Sequence, residues 1–203
     1  MTHHLHRGDL PDTVRFEGAV AIDSEAMGLN PLRDRLCLVQ LSGGDGNAHL
    51  VQFAPGCYDA PNLRRLFADP AVLKLFHFAR FDIAMIYHYL GVMPQPIYCT
   101  KIASRLVRTF TDRHGLRDLC RDLLGVDLKK EQQSSDWGAA NLTEEQLRYA
   151  ASDVLHLHAA RARLDEMMAR EGRGELARCC FDFLPARAML DLAGWAEQDI
   201  FAH

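Results

Sequence analysis

Apolar residues run together or alternate in short stretches through the first third of the chain, and recur at three- and four-residue spacing through the rest. Val20 and Ile22, with the residue between them, read as a short strand ending in Asp23 and Glu25, while RLCLVQL (Arg35 to Leu41) and AHLVQF (Ala48 to Phe53) read as two more. The string SGGDGN between the last two is a hairpin turn, so three sequential strands predict an antiparallel meander. APNLRRLFADP then predicts a short helix and AVLKLF a fourth strand. A further helix starts near Ala79 and stops at Gly91, with Pro94 beyond.

The second half is helical. TKIASRLVRTF, LRDLCRDLLG and a long segment from about Glu144 to before Gly172 carry apolar residues at helical spacing. Thr143 followed by Gln146 is a capping-box pattern that starts the long segment. Strands first and helices flanking predict an α/β or α+β domain with a mixed sheet. With no internal repeat and no linker, residues 1–203 are expected to form one domain, with a core over about 18–170 and a C-terminal helical segment at 175–203. The apolar residues between Phe181 and His203 predict either a helix docked on its own core or a contact between subunits.

Composition narrows the class. With 203 residues, 48% of them hydrophobic, the chain can bury a full core. It has no apolar run long enough for a bilayer, and its opening MTHHLHRGDLPD lacks the apolar core of a secretory signal, so a soluble, cytoplasmic protein with no membrane partner is expected. Six cysteines without a CxxC pair are expected to be reduced and mostly buried. His3, His4 and His6 fall in what reads as a mobile N-terminus. The net charge of −4 lacks the basic surplus of a protein that tracks a long polyanion. From Lys101 to Lys130, however, eight Lys/Arg stand against four Asp, which fits a confined phosphate site.

Asp23 and Glu25, two apart on a strand, point to one face, and Ser24 points away. Tyr149 and Asp153, four apart on a helix, share one stripe. Asp82 lies in the first turn of the helix after the fourth strand. If these elements converge, four carboxylates repel, and the relief is raised pKa values or bound divalent cations. Oxygen donors without Cys or His favour Mg2+ or Mn2+ over zinc. Two such ions, roughly 4 Å apart, suit an in-line phosphoryl displacement. A tyrosine with an ordinary pKa near 10 is a poor base at neutral pH, so Tyr149 is expected to orient a water.

The strings AIDSEAMGL, HFARFD, CTKIASRL, HGLRDLCRDLLGVDLKKEQQSSDW and LTEEQLRYAASDVLHL together resemble the 3′-5′ exonuclease domain of ribonuclease D, a DEDDy enzyme of the ribonuclease H-like superfamily. The resemblance covers about Val20 to Leu164. CTKIASRL and KKEQQSSDW, without the helical RNA-binding domains that follow in ribonuclease D, are similar to the nano-RNase C family, alphaproteobacterial diribonucleases that form octameric rings. Cys99 departs from many ribonuclease D sequences, in which Asp precedes the threonine corresponding to Thr100. The resemblance implies a ribonuclease H-like exonuclease fold with the mixed sheet and meander flanked by helices. It also implies that Asp23, Glu25, Asp82 and Asp153 hold two divalent ions and that Tyr149 positions the nucleophilic water. Leu29 matches an apolar wedge against bases, and His77 and Phe81 stand where a terminal sugar or base is contacted. Each of the three has a plain core reading as well. Among Lys101, Arg105, Arg108, Lys129, Lys130, Gln133, Ser134 and Trp137, some are expected to cap the far phosphate. The expected substrate is very short RNA, chiefly dinucleotides, and the expected assembly a homo-oligomer. Two alternatives stay open: a general ribonuclease D-like exonuclease on longer RNA or DNA, and a catalytically idle RNA-binding module.

Overall fold

Val20, Ala21 and Ile22 are fully buried, which fits a central place in the sheet for the strand that carries them, β2 (Ala19–Ala26). The computed structural model describes residues 2–129, 132 and 134–202. Strand β3 (Leu36–Ser42) is buried along its whole length and pairs antiparallel with β2, and β4 (Asn47–Gln52) pairs antiparallel with β3. The expected meander is therefore present. On the other side of β2, β5 (Leu73–Phe76) and β6 (Ile97–Cys99) add in parallel. With β1 (Thr2–Arg7), the mixed sheet runs β1-β4-β3-β2-β5-β6.

Two expectations about the elements need correction, and one short strand is added to them. The N-terminus is not loose: Thr2–Arg7 pairs in parallel with β4, in register from Thr2 opposite Asn47 to Arg7 opposite Gln52. Side chains add to that pairing, with His6 Nε2 3.0 Å from His49 Nδ1, and Arg7 donating to Gln52 and, at 2.8 Å, to the Ala140 carbonyl. A string as polar as THHLHR carries no apolar alternation, so its strand character comes from the partner edge. β6 is only three residues long and lay below the length at which a pattern is legible. The long C-terminal-half helix is two: α5 (Glu144–Leu155) and α6 (Leu157–Glu171) meet at His156, whose ψ of −5° departs from helix geometry and whose N–H bonds to the Val154 carbonyl. Neither Gly nor Pro marks that break.

The remaining helices are α1 (Pro61–Ala68), α2 (Ala79–Leu90), α3 (Thr100–Val107), α4 (Leu116–Leu124) and α7 (Gly174–Leu190). The Asp9 carboxylate accepts the free N–H groups of Asn62 and Leu63 at 2.8 and 3.0 Å, capping α1. α2 ends at Gly91, whose φ of +67° is the left-handed conformation that stops a helix. α5 lies across β2, β3 and β4, and α7 packs on α2 and β6. α7 buries Ala177, Phe181, Leu184 and Ala188, while Phe183, Met189, Trp195, Ile200 and Phe201 of the C-terminal segment stay exposed. The docked-helix expectation thus holds for one face only. Asp191, in the π-type turn Asp191–Trp195, is gripped by Arg80 of α2 at 2.5 and 2.7 Å and by Arg187. All six cysteines are free, but only Cys37, Cys99 and Cys120 are buried, against the expectation of mostly buried thiols. Among the described residues no helix is long and apolar enough to cross a membrane.

Candidate active site

The alternation of β2 aims Asp23 and Glu25 at the face that α5 covers. The Thr143 hydroxyl accepts from the Gln146 N–H at 3.2 Å and the Gln146 side chain accepts from the Thr143 N–H at 2.9 Å, so α5 begins with the full capping box. That start fixes the register in which Tyr149 and Asp153 meet the strand. Carboxylate oxygens of Asp23, Glu25 and Asp153 come within 4.8 Å of one another. The three keep part of their surface open to the cleft, yet protein atoms surround them on most sides.

Asp82 joins from a third element. Phe78, with φ +69°, makes the left-handed turn from β5 into α2, and Asp82 lies in the first helical turn, 3% exposed. Its carboxylate stands apart from the close trio and accepts the Ser24 hydroxyl at 2.6 Å. Ser24, which alternation turns away from the trio, is therefore part of the site. Sequence reading missed it, and the signal was a lone hydroxyl between two acids on a buried strand.

The electrostatics follow from crowding. Burial pushes the Asp23 carboxyl up to about 7. Burial and then the charges of Asp23, Asp153 and Asp82 raise Glu25 well above the usual range, and Asp82 and Asp153 are raised by burial and by Asp23. Burial and the charges of Asp153, Glu25 and Asp23 also raise the Tyr149 phenol, so it keeps its proton at neutral pH. His77 Nδ1 lies 2.9 Å from Thr100 Oγ1, and burial and the nearby Lys101 push the imidazole down to about 3, so it is neutral. Divalent cations would relieve the repulsion. The donor set fits them: three carboxylates bring hard oxygens toward one point, with no thiolate or imidazole among them.

The cleft over these groups, about 550 Å3, is also lined by Leu29, His77, Phe81, Ser134 and Trp137, which places five of the expected binding residues beside the acids. Leu29 is 85% exposed, so the core reading fails for it. Trp137 is buried, its indole N–H has no partner among the described residues, and its ring lies 6.0 Å from that of Tyr149. Lys101 does not line this cleft but lies near His77 at its edge, with its ammonium 4.1 Å over the Phe78 ring on a neighbouring surface that Arg105 shares. Arg108 is fully buried and paired with Asp122 at 2.5 Å, which removes it from any phosphate contact. Arg117 and Arg121 pair with Asp127 and Asp118, so much of the local basic surplus is spent internally. Lys129 is exposed, and Gln133 and Lys130 lie outside the described residues.

Residues 9–169 match the sequence model of the 3′-5′ exonuclease family. The chain belongs to that family. It is 38% identical to a ribonuclease D of Granulibacter bethesdensis over 161 residues, which cover 79% of this chain and 40% of that protein. The chain thus spans about two fifths of the length of the curated relatives it matches. Among solved structures, it is similar to Brucella melitensis NrnC (nano-RNase C) with bound Mg2+, at 54% identity and a TM-score of 0.96 over 100% of both chains. The same nuclease bound to pGG gives 55% identity and a TM-score of 0.97 over 100% of this chain and 99% of that one. Escherichia coli RNase D, an exoribonuclease involved in structured RNA processing, gives 27% identity and a TM-score of 0.73 over 85% of this chain and 45% of that one. The sheet and its flanking helices are those of this exonuclease family's ribonuclease H-like fold.

Proposed function

We propose that the chain is a 3′-5′ exoribonuclease that releases 5′-mononucleotides from very short RNA, chiefly diribonucleotides. The observation that carries this reading is the convergence of Asp23, Glu25 and Asp153 in one cleft with Tyr149 and the exposed Leu29. The likeness to a nuclease bound to pGG supports the dinucleotide. Asp23, Glu25, Asp82 and Asp153 would hold two divalent cations, Mg2+ or Mn2+. When bound, such ions supply an acidified water and neutralise charge building on the phosphate. Tyr149 keeps its proton and orients the attacking water toward the terminal phosphorus. The water oxygen bonds to phosphorus, the P–O3′ bond breaks, and the 3′ oxygen leaves with a proton. Leu29 packs on a base, His77 and Phe81 on the terminal sugar or base, and Trp137, whose indole N–H has no partner among the described residues, is one of the groups that cap the far phosphate.

A single exonuclease domain, cytoplasmic and with its cysteines reduced, assembled as a homo-oligomer in an octameric ring, completes the reading. The exposed Phe183, Met189, Trp195, Ile200 and Phe201 support a second copy of this chain as partner, and light scattering checks it.

The test is a length series of RNAs from two to seven nucleotides with Mg2+ or Mn2+. A steep preference for two is expected, and Asp23→Ala or Asp153→Ala should abolish turnover with the fold intact. Release of no mononucleotide from any RNA overturns the enzyme reading. Equal rates across the series favour the ribonuclease D-like alternative on longer RNA or DNA, for which the 38% identity to ribonuclease D speaks. Binding without cleavage and without a heat of Mn2+ binding would mark an idle RNA-binding module.

A further inference from the structure

Strand β3 is apolar except at Gln40 and its last residue, Ser42, and Gln40 is fully buried. Neither the amide nitrogen nor the oxygen of its side chain has a hydrogen-bond partner among the described residues. A buried carboxamide with both ends unpaired is costly to keep, and an apolar side chain of the same shape removes that cost. The stability of the fold therefore gives no reason for a glutamine here.

The register supplies a reason. Gln40 stands directly opposite Asp23 in the β2–β3 ladder. Directly opposed residues of an antiparallel pair share a face, with Cβ atoms about 5 Å apart. The carboxamide is thus on the α5-covered face, beside the acid that the trio and Asp82 have in common: Asp23 is one of the three close carboxylates, and its charge also raises Asp82. Gln40 is the neutral group opposite that acid, with two N–H donors to offer.

We propose that Gln40 is a positioning residue for Asp23, its carboxamide N–H donating to the charged carboxylate, either directly after a small turn of the side chain or through one enclosed water. Held this way, Asp23 presents its oxygens at a fixed angle. The role rests on the divalent-cation reading of the acidic site.

Gln40→Met keeps the side-chain volume and removes both polar ends. Two measurements decide: the melting temperature in chelator, and Mn2+ binding by calorimetry. The expected result is a melting temperature unchanged or raised, with Mn2+ affinity weakened by about tenfold or more, as for other partners of metal-binding side chains. Gln40→Glu keeps the shape and replaces the donor with a charge, and it should weaken binding at least as much. Unchanged Mn2+ affinity in Gln40→Met overturns the proposal, as does a lowered melting temperature in chelator, which would make the side chain structural. If the wild-type protein itself binds no Mn2+, the cation reading falls as well; if it binds and Gln40→Met binds equally, only the role of Gln40 falls.

Discussion

The Ser24 hydroxyl donates to the buried Asp82 carboxylate at 2.6 Å, joining the back of the central strand to the first turn of α2. Removing it leaves Asp82, raised by burial and by Asp23, with one fewer group favouring its charged form. Ser24→Ala is expected to lower stability by about 1 kcal/mol, from one lost buried hydrogen bond, and to weaken Mn2+ binding about tenfold. Thermal melting and calorimetry read the two effects separately.

Crowding of the acids sets a pH dependence. Asp23 moves from an ordinary 3.8 to about 7, so the folded chain binds this proton more tightly than the unfolded one. Its contribution to stability is fully present below about pH 4 and is lost as pH rises to about 7. Glu25, Asp82 and Asp153 shift in the same direction. His77, pushed down to about 3, acts oppositely, so the clean measure is the difference between wild type and Asp23→Asn in chelator. Asp23→Asn is expected to gain in relative melting temperature as pH rises across that window, and added Mn2+ to reverse the order in favour of wild type.

Leu29 is 85% exposed and lines the cleft, so it contributes little to the fold. Leu29→Ala should leave the melting temperature unchanged while lowering kcat/KM on dinucleotides roughly tenfold, from about 1.5 kcal/mol of apolar contact with a base. Equal kcat/KM in the variant removes Leu29 from substrate binding. The loop that carries it is closed by Asp34, whose carboxylate accepts the Asn30 N–H at 3.0 Å.

Arg108 separates structure from substrate binding. Its guanidinium, 1% exposed, is shared among Asp122, the Ser104 hydroxyl and the Arg113 carbonyl. Arg108→Ala is expected to cost about 2 kcal/mol or more, reduced from the value for a fully buried pair because Asp122 keeps contact with water. KM per folded molecule should not change. A raised KM with unchanged stability would return Arg108 to the phosphate contacts.

Much of this site was legible in the sequence because its acids occur at the two periods that secondary structure imposes. Asp23 and Glu25 share a strand face, Tyr149 and Asp153 share a helix stripe, and the capping box at Thr143 fixed where that helix starts. Asp82 was found from its place after a strand, but its separation from the trio and its tie to Ser24 depend on how α2 approaches β2, which no local pattern records. Gln40 was passed over as one letter in an apolar strand, since its meaning lies in the register with Asp23. The basic stretch misled for a related reason: sequence counts charges, while the fold pairs Arg108, Arg117 and Arg121 with their own aspartates. β1 was invisible because its pairing is borrowed from β4.

The grip of Arg80 on Asp191 ties the C-terminal turn to the first turn of α2, and Arg80 stands two residues before Asp82 on that turn. The same two charged bonds that hold the C-terminal turn thus also anchor the start of the helix that carries the fourth acid.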